Sequence, residues 1–420
     1  TYHYNSFNKV EEMIDQEGNR QYFKYDQEGN IVEHKDANEN IITYSYNIDG
    51  NITTIKGYDK GKEKSLYQTY QYNPDGTLHL AKAGEMVYTY HYTKDQLLKR
   101  KEASGRTLIS YQYNKNNKIT TIEDITGKRT NYQYDPAGRI KEILDQDNNR
   151  LANYSYNLDD TLQQIQYGNG ITTSYTYDQD KNMTKLTTQT TKGERQEDYN
   201  YQYDLNGNRL EKIGIKHQTH YSYDSLNRLI KANYDGREET FTYDLVGNRL
   251  TKTLNSTIEQ YTYNRKNQIT QHQKEKGITN FYYDKQGNTI KEETPEGTNT
   301  FEYNNLNQQI KTITKEGHTQ INRYDAHGLR TEIEENQKLT KFIYHKGNIQ
   351  VELDEENNPI NRFSRGYEIV AAELWDKNNT NCHKYYYQQD EQGSTLHITD
   401  QQENIKNSYH YDAFGGLLEN

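Results

Sequence analysis

Aromatic side chains recur along this chain two residues apart within short runs, and the runs themselves return about every twenty residues. Each run reads aromatic, any residue, tyrosine, Asp or Asn, two or three turn residues, then an aliphatic. Tyr132-Gln133-Tyr134-Asp135-Pro136-Ala137-Gly138-Arg139-Ile140 is one copy, and Phe241-Thr242-Tyr243-Asp244-Leu245-Val246-Gly247-Asn248-Arg249-Leu250 is another. A period of two predicts a strand, because residues i and i+2 share a face: Tyr201 and Tyr203 project together and Gln202 points away. The Asp-x-x-Gly that follows, such as Asp26-Gln27-Glu28-Gly29, predicts a turn. Its Asp caps the turn through the side chain, and its Gly supplies a positive φ. The aliphatic residue (Ile52, Leu78, Ile140, Leu210 or Leu250) begins a return strand, and a second turn, as at Asp15 to Gly18, closes the unit. The predicted unit is a β-hairpin. Its defining residues are Tyr25, Asp26 and Gly29; Tyr134, Asp135 and Gly138; Tyr203, Asp204 and Gly207; Tyr243, Asp244 and Gly247; and Tyr411, Asp412 and Gly415.

The second tyrosine occurs seventeen times between residues 4 and 344, and fourteen of the sixteen intervals are 20 to 22 residues. Such self-similarity fixes the architecture before any local motif is weighed. Seventeen hairpins make thirty-four strands, and at about 4.8 Å each the sheet would be roughly 160 Å wide. A compact domain of this length is only about 55 Å across, and open sheets rarely exceed about ten strands without curling. A ribbon of that width wound once gives a tube roughly 50 Å across, wider than side chains fill. The expectation is an all-β fold: tandem hairpins in one long antiparallel sheet that spirals into a hollow shell or barrel, complete or partial. Two intervals, 46 to 72 and 177 to 203, carry about five extra residues. Their charged inserts, Lys60-Gly61-Lys62-Glu63-Lys64 and Lys192-Gly193-Glu194-Arg195-Gln196-Glu197, read as hairpin tips extended into solvent. The repeat is regular over 1–343 and irregular over 344–420, with no linker-like boundary before residue 344.

Composition changes this picture little. Hydrophobic residues are only 31%, which on hydropathy alone suggests disorder, but 42 tyrosines at a regular interval argue otherwise. A tyrosine ring packs in sheets while its polar tip tolerates water. The formal net charge of −10 is interleaved with bases, which argues against nucleic-acid or anionic-membrane partners. No stretch approaches the eighteen apolar residues of a membrane-spanning helix. Thr1 falls inside a repeat, so the chain reads as a segment of a longer polypeptide. The single cysteine, Cys382, excludes an internal disulfide framework.

The recurring phrase resembles the YD repeat of Rhs proteins over essentially the whole chain. A second resemblance lies in the last seventy residues: Tyr385-Tyr386-Tyr387, Asp390-Glu391-Gln392-Gly393-Ser394-Thr395, Thr399-Asp400 and Tyr409-His410-Tyr411-Asp412-Ala413-Phe414-Gly415 resemble the end of an Rhs core. The resemblance implies a β-sheet shell, as in bacterial Rhs and wall-associated toxins, Tc-toxin B and C components and teneurins. It implies as partner a C-terminal toxin domain of the same polypeptide, held inside until delivery, together with an immunity or delivery protein. It also implies a secreted or cell-surface, wall-associated location in a bacterium. The family's closing signature, with Asp-Pro and Gly-Leu elements and an aspartate-dependent self-cleavage site, is not found before Asn420. Neither toxin nor autoprotease is therefore assigned.

Residues that suggest chemistry are better read as structure. His217 and His220 are three apart, which in a strand puts them on opposite faces. His3, His91 and His410 sit in the middle of the Tyr-x-Tyr phrase, outward of the tyrosines. Asp145-Gln146-Asp147-Asn148-Asn149 starts like a calcium loop, but Arg150 and Tyr156 replace the required Gly and Glu. The acidic runs Glu332 to Glu335 and Asp354 to Glu356 read as solvated turn acids. Cys382-His383 is adjacent in sequence only, and no Ser-His-Asp order or phosphate loop appears. Trp375 is expected to pack a cap or seam. No catalytic, cofactor or metal residue is assigned, and no enzyme is expected. The rival reading is an adhesive surface that binds carbohydrate through exposed tyrosines and amides.

Overall fold

The computed structural model describes residues 1–60, 63–376 and 381–419, so Gly61 and Lys62 of the first insert lie outside the described residues. Among the described residues every regular element is a strand. There are forty-one, of which thirty-nine belong to one sheet. Every pairing with a defined register joins consecutive antiparallel strands: Arg129–Tyr134 pairs Ile140–Asp145, which pairs Arg150–Tyr156. The surplus over thirty-four arises after residue 344, where Asn348–Leu353 completes the seventeenth hairpin and Pro359–Arg365, Ile369–Trp375, Cys382–Gln389, Thr395–Thr399 and Ile405–Ser408 continue the sheet.

The Asp-x-x-Gly turns are type I turns closed by a left-handed residue and a β-bulge. At Asp26, the Gly29 N–H donates to the Asp26 carbonyl (3.2 Å), the Asp26 N–H donates to that of Asn30 (3.0 Å), and Gly29 has φ +88°. The register slips between Lys24 and Tyr25, so Tyr25 faces Ile31. Where Gly is replaced, Asn often takes the left-handed position, as at Asn117, Asn227 and Asn267. The second turns vary. Some repeat the Asp15–Gly18 pattern. Others are two-residue turns with both φ positive, such as Asp235-Gly236 and Asn336-Gln337, whose twist matches the flanking strands. The return strands containing Leu210 and Leu250 begin one residue earlier, at Arg209 and Arg249.

The chain forms two units. The first comprises Thr1–Ser110, Asp244–Leu250 and Glu259–Ile343, and the second comprises Tyr111–Tyr243, Thr251–Ile258 and Tyr344–Asn420. In the first, early turns meet late turns: Lys266 pairs with Asp15 (2.8 Å), Asn38 donates to Asp284 (2.9 Å), and Asn305 donates to Asp59 (2.9 Å). In the second, the early strands bury Ile143, Leu151, Tyr154, Tyr167 and Leu186 against Val370, Ala371, Tyr386 and Leu396 of the late ones. The period of two is visible in Arg237–Tyr243, where Glu239 and Phe241 are buried and Thr242 is exposed.

Candidate functional site

The repeat residues form a cross-hairpin clasp. The hydroxyls of Tyr25, Tyr134, Tyr203, Tyr243 and Tyr411 donate to the carbonyls of Val10 (2.6 Å), Ile119 (2.7 Å), Met183 (2.9 Å), Leu229 (2.6 Å) and Thr395 (3.0 Å). Each acceptor is the first residue of an earlier return strand. The following Asp caps the turn: Asp204 accepts the N–H groups of Asn206 (2.9 Å) and Asn208 (2.8 Å), and its other oxygen takes the Asn208 amide (2.8 Å). Asp135 does the same with Arg139, Asp244 with Val246 and Asn248, and Asp412 with Phe414 and Gly416. The left-handed glycines Gly138, Gly207, Gly247 and Gly415 close these turns.

Above this clasp sit the contacts that lock late segments onto early ones. In the first unit, Lys101 reaches the fully buried Asp325 (3.4 Å) across the Tyr88 ring (3.8 Å). Tyr70 donates to the Ala326 carbonyl (2.7 Å), and His327 bonds Tyr90 (2.8 Å). Asp15 is held down to about 2: burial pushes it up, but Lys266 and the Asn19 amide and N–H outweigh it.

In the second unit the buried Arg362 bonds Asp124 (2.6 Å), Glu373 (3.1 Å) and Thr130 (2.9 Å). Lys384 pairs with Asp145 (2.8 Å) and Lys128 with Glu373 (2.7 Å), the Lys128 ammonium lying 4.8 Å from the Trp375 ring centre. Tyr201 donates to Glu391 (2.6 Å), Arg209 pairs with Glu391, and Lys212 reaches both Asp390 (3.4 Å) and Glu391 (3.2 Å). Burial, then the neighbouring Glu391, raises Asp390. Burial also pushes Glu391 up, but Lys212 and Arg209 hold it below the ordinary range. With both side chains 5% exposed and cations already against them, these acids tie strands together.

The structure revises several sequence expectations. Glu332 to Glu335 are not turn acids. They lie on the strand Arg330–Glu335, and Arg323 of the neighbouring strand pairs with Glu334 (2.6 Å) and Glu332 (3.5 Å). The Lys192–Glu197 insert is exposed at its tip, Lys192 to Arg195, as expected, but not at its end. Thr191 beside it and Gln196 within it bond Glu403, and Glu197 is buried against His397. Asp59 beside the other insert contacts Asn305, and Lys60 within it contacts Asn40. Asp145 caps a polar turn through Asp147 and Asn149, and Asp354 does so through Glu356 and Asn358. His220 meets Glu211 (3.3 Å), while His217 bonds Asp235 (2.9 Å) and stacks on His410, with ring centres 4.1 Å apart. His3 pairs with Glu12, the acid opposite it, and His91 pairs diagonally with Glu102 of the neighbouring strand. Cys382 is exposed beside Lys128, and burial of the thiol pushes it up.

One cavity of about 570 Å³ opens in the second unit, lined by Ala137, Arg139, Tyr156, Asp160, Leu162 and Tyr367. The Arg139 guanidinium lies on the Tyr156 ring (4.3 Å) and pairs with Asp160 (2.6 Å). The Tyr156 and Tyr367 hydroxyls meet at 2.9 Å.

Tandem hairpins that clasp one another through tyrosine, and fasten their later turns to earlier ones, define a repeat-built β wall. The teneurin YD-shell family matches residues 210–420 and the RHS repeat family matches residues 113–149; the chain belongs to the Rhs/YD-repeat shell family. The tRNA3(Ser)-specific nuclease WapA of Bacillus spizizenii is 28% identical over 120 residues, which is 27% of this chain and 5% of that protein. The crystal structure of TcdB2-TccC3-TEV superposes with a TM-score of 0.78 at 14% identity, over 98% of this chain and 24% of that one. The Photorhabdus luminescens Tc holotoxin pore, carrying TccC3-D651A, gives 0.78 at 14%, over 99% and 24%. TcdB2-TccC3 without its hypervariable C-terminal region gives 0.76 at 15%, over 99% and 25%. The chain thus spans about a quarter of the solved chains it resembles and shares their all-β antiparallel fold.

Proposed function

We propose that this chain is a stretch of wall in a hollow Rhs/YD-type toxin shell, which surrounds a C-terminal toxic domain of the same polypeptide and helps deliver it. The wall acts mechanically. Residues 344–420 form its lead-in to the effector, an immunity or delivery protein is its further partner, and the setting is a bacterial secreted or wall-associated protein. The observation that carries this reading is the fastening of late segments onto early ones within each unit, which joins passes of one ribbon. The match to Tc-toxin structures and to a nuclease of the WapA type supports a toxin setting.

The test is protease protection of the polypeptide that carries the C-terminal domain. The domain should resist a trypsin concentration that digests the same domain expressed alone. Equal digestion rates would overturn the reading.

The Tyr156–Tyr367 cavity favours a second role in carbohydrate binding. Its volume falls within the usual ligand range, and Tyr367 is 56% exposed beside the Arg139–Asp160 pair. A glycan array followed by calorimetry at millimolar sugar tests it; no binding, or binding unchanged by Tyr367→Ala, removes it.

A further inference from the structure

The second unit brings Glu197 to two residues of neighbouring strands some 200 positions on, His397 and Ser408. The Ser408 hydroxyl lies 2.9 Å from His397 Nδ1, and His397 Nε2 lies 2.8 Å from Glu197 Oε1. The His397 side chain is 2% exposed and that of Glu197 9%, whereas Ser408 is exposed with the rest of its strand, Ile405–Ser408. An exposed nucleophile, a buried base hydrogen-bonded to it, and a carboxylate orienting the base are the three parts of an activated serine. Glu197 faces one ring nitrogen and so fixes the proton there, leaving the nitrogen beside Ser408 free to accept. A tie between strands needs only the Glu197–His397 pair; it does not need a third, solvent-facing hydroxyl in line.

The backbone supplies the remaining part. Ser408 stands opposite His397 in the ladder, and the next N–H, that of Tyr409, donates to the Leu396 carbonyl (2.8 Å). Hydrogen-bonded and non-hydrogen-bonded pairs alternate in an antiparallel ladder. Ser408 and His397 therefore form a non-hydrogen-bonded pair: their side chains approach closely, and the Ser408 N–H points away from Thr395–Thr399. That N–H is placed to meet an oxyanion forming on a group attacked by its own hydroxyl.

We propose that Ser408, with His397 as general base and Glu197 as its orienting carboxylate, is a nucleophile toward acyl groups presented at this strand. The Ser408 Oγ forms a bond to the acyl carbon while its proton passes to His397 Nδ1. The bond to the leaving group then breaks, and the leaving group takes that proton. Water, deprotonated by the same imidazole, releases the acid and regenerates the serine. Ser408 is the catalytic residue in this scheme, and Glu197 is a positioning residue.

The probe is a fluorophosphonate, which transfers its phosphonyl group to an activated serine with loss of fluoride. Labelling of the folded 420-residue chain, followed by peptide mapping, should place one adduct on Ser408 and none on Ser408→Ala. A positioned base contributes about 10²–10⁴-fold, so His397→Gln should slow labelling at least about a hundredfold. Glu197→Gln, which keeps the volume of the buried side chain, should slow it about tenfold or more, with circular dichroism showing an intact sheet. No adduct on Ser408, or an adduct formed at the same rate in Glu197→Gln, would overturn the proposal.

Discussion

At the scale of single residues, tyrosine is specified by its hydroxyl as much as by its ring. The ring packs between hairpins, and the hydroxyl closes a bond to the carbonyl that opens an earlier return strand. Tyr243→Phe keeps the first and loses the second, so urea denaturation should show a loss of about 1 kcal/mol. Tyr243→Ala loses both, and about 3 kcal/mol or more is expected. A loss for Tyr243→Phe indistinguishable from zero would remove the clasp from the account. Asp15 offers a pH test with a definite sign. Its folded value is near 2, below the unfolded value of about 3.9. Its contribution is therefore complete above about pH 4 and lost as pH falls towards 2. The stability difference between the native chain and Asp15→Asn should shrink across that window; a constant difference would contradict the Lys266 pairing. The turn was legible in the sequence because Asp, its two followers and Gly act within five residues. The hydroxyl's acceptor was not, because it lies on an earlier hairpin. An offset of fourteen to sixteen residues between Tyr25, Tyr134, Tyr243 or Tyr411 and its acceptor, widened to 20 at Tyr203 by its longer repeat, is the signal that would have found it.

At the scale of elements, hairpin order was legible and hairpin contact was not. Alternation and period predict that each strand pairs with the next, and the registers follow that rule. Apart from Arg362–Glu373, the buried ion pairs named above join residues more than 170 positions apart, and nothing local marks Asp390 and Glu391 as the acids that Arg209 and Lys212 will meet. The Lys192–Glu197 insert misleads for the same reason: charge suggested solvent, whereas Glu197 is buried opposite His397. Arg362 is the sharpest test of these contacts. Arg362→Met leaves Asp124 buried without its cation, and a loss of about 3–5 kcal/mol is expected. Adding Asp124→Leu should restore most of that loss, since an apolar pair of similar volume is often no worse than the ion pair. If the double variant is as unstable as the single one, the contact holds the segments in some other way.

At the scale of the whole molecule, repetition builds a wall, and the role proposed for that wall is to hold its contents. No single Tyr-x-Tyr-Asp phrase carries that role; it belongs to the ribbon they assemble. The Ser408 proposal stands apart from it, since a reactive serine on the last strand of the sheet neither requires nor excludes enclosed cargo. The most direct measurement is a cryo-electron-microscopy map of the polypeptide extended through its C-terminal domain. Density for that domain should be surrounded by the sheet, with the hairpins of this chain forming part of the enclosing layer. A folded C-terminal domain standing outside the sheet, with the interior filled by the wall's own side chains, would contradict it.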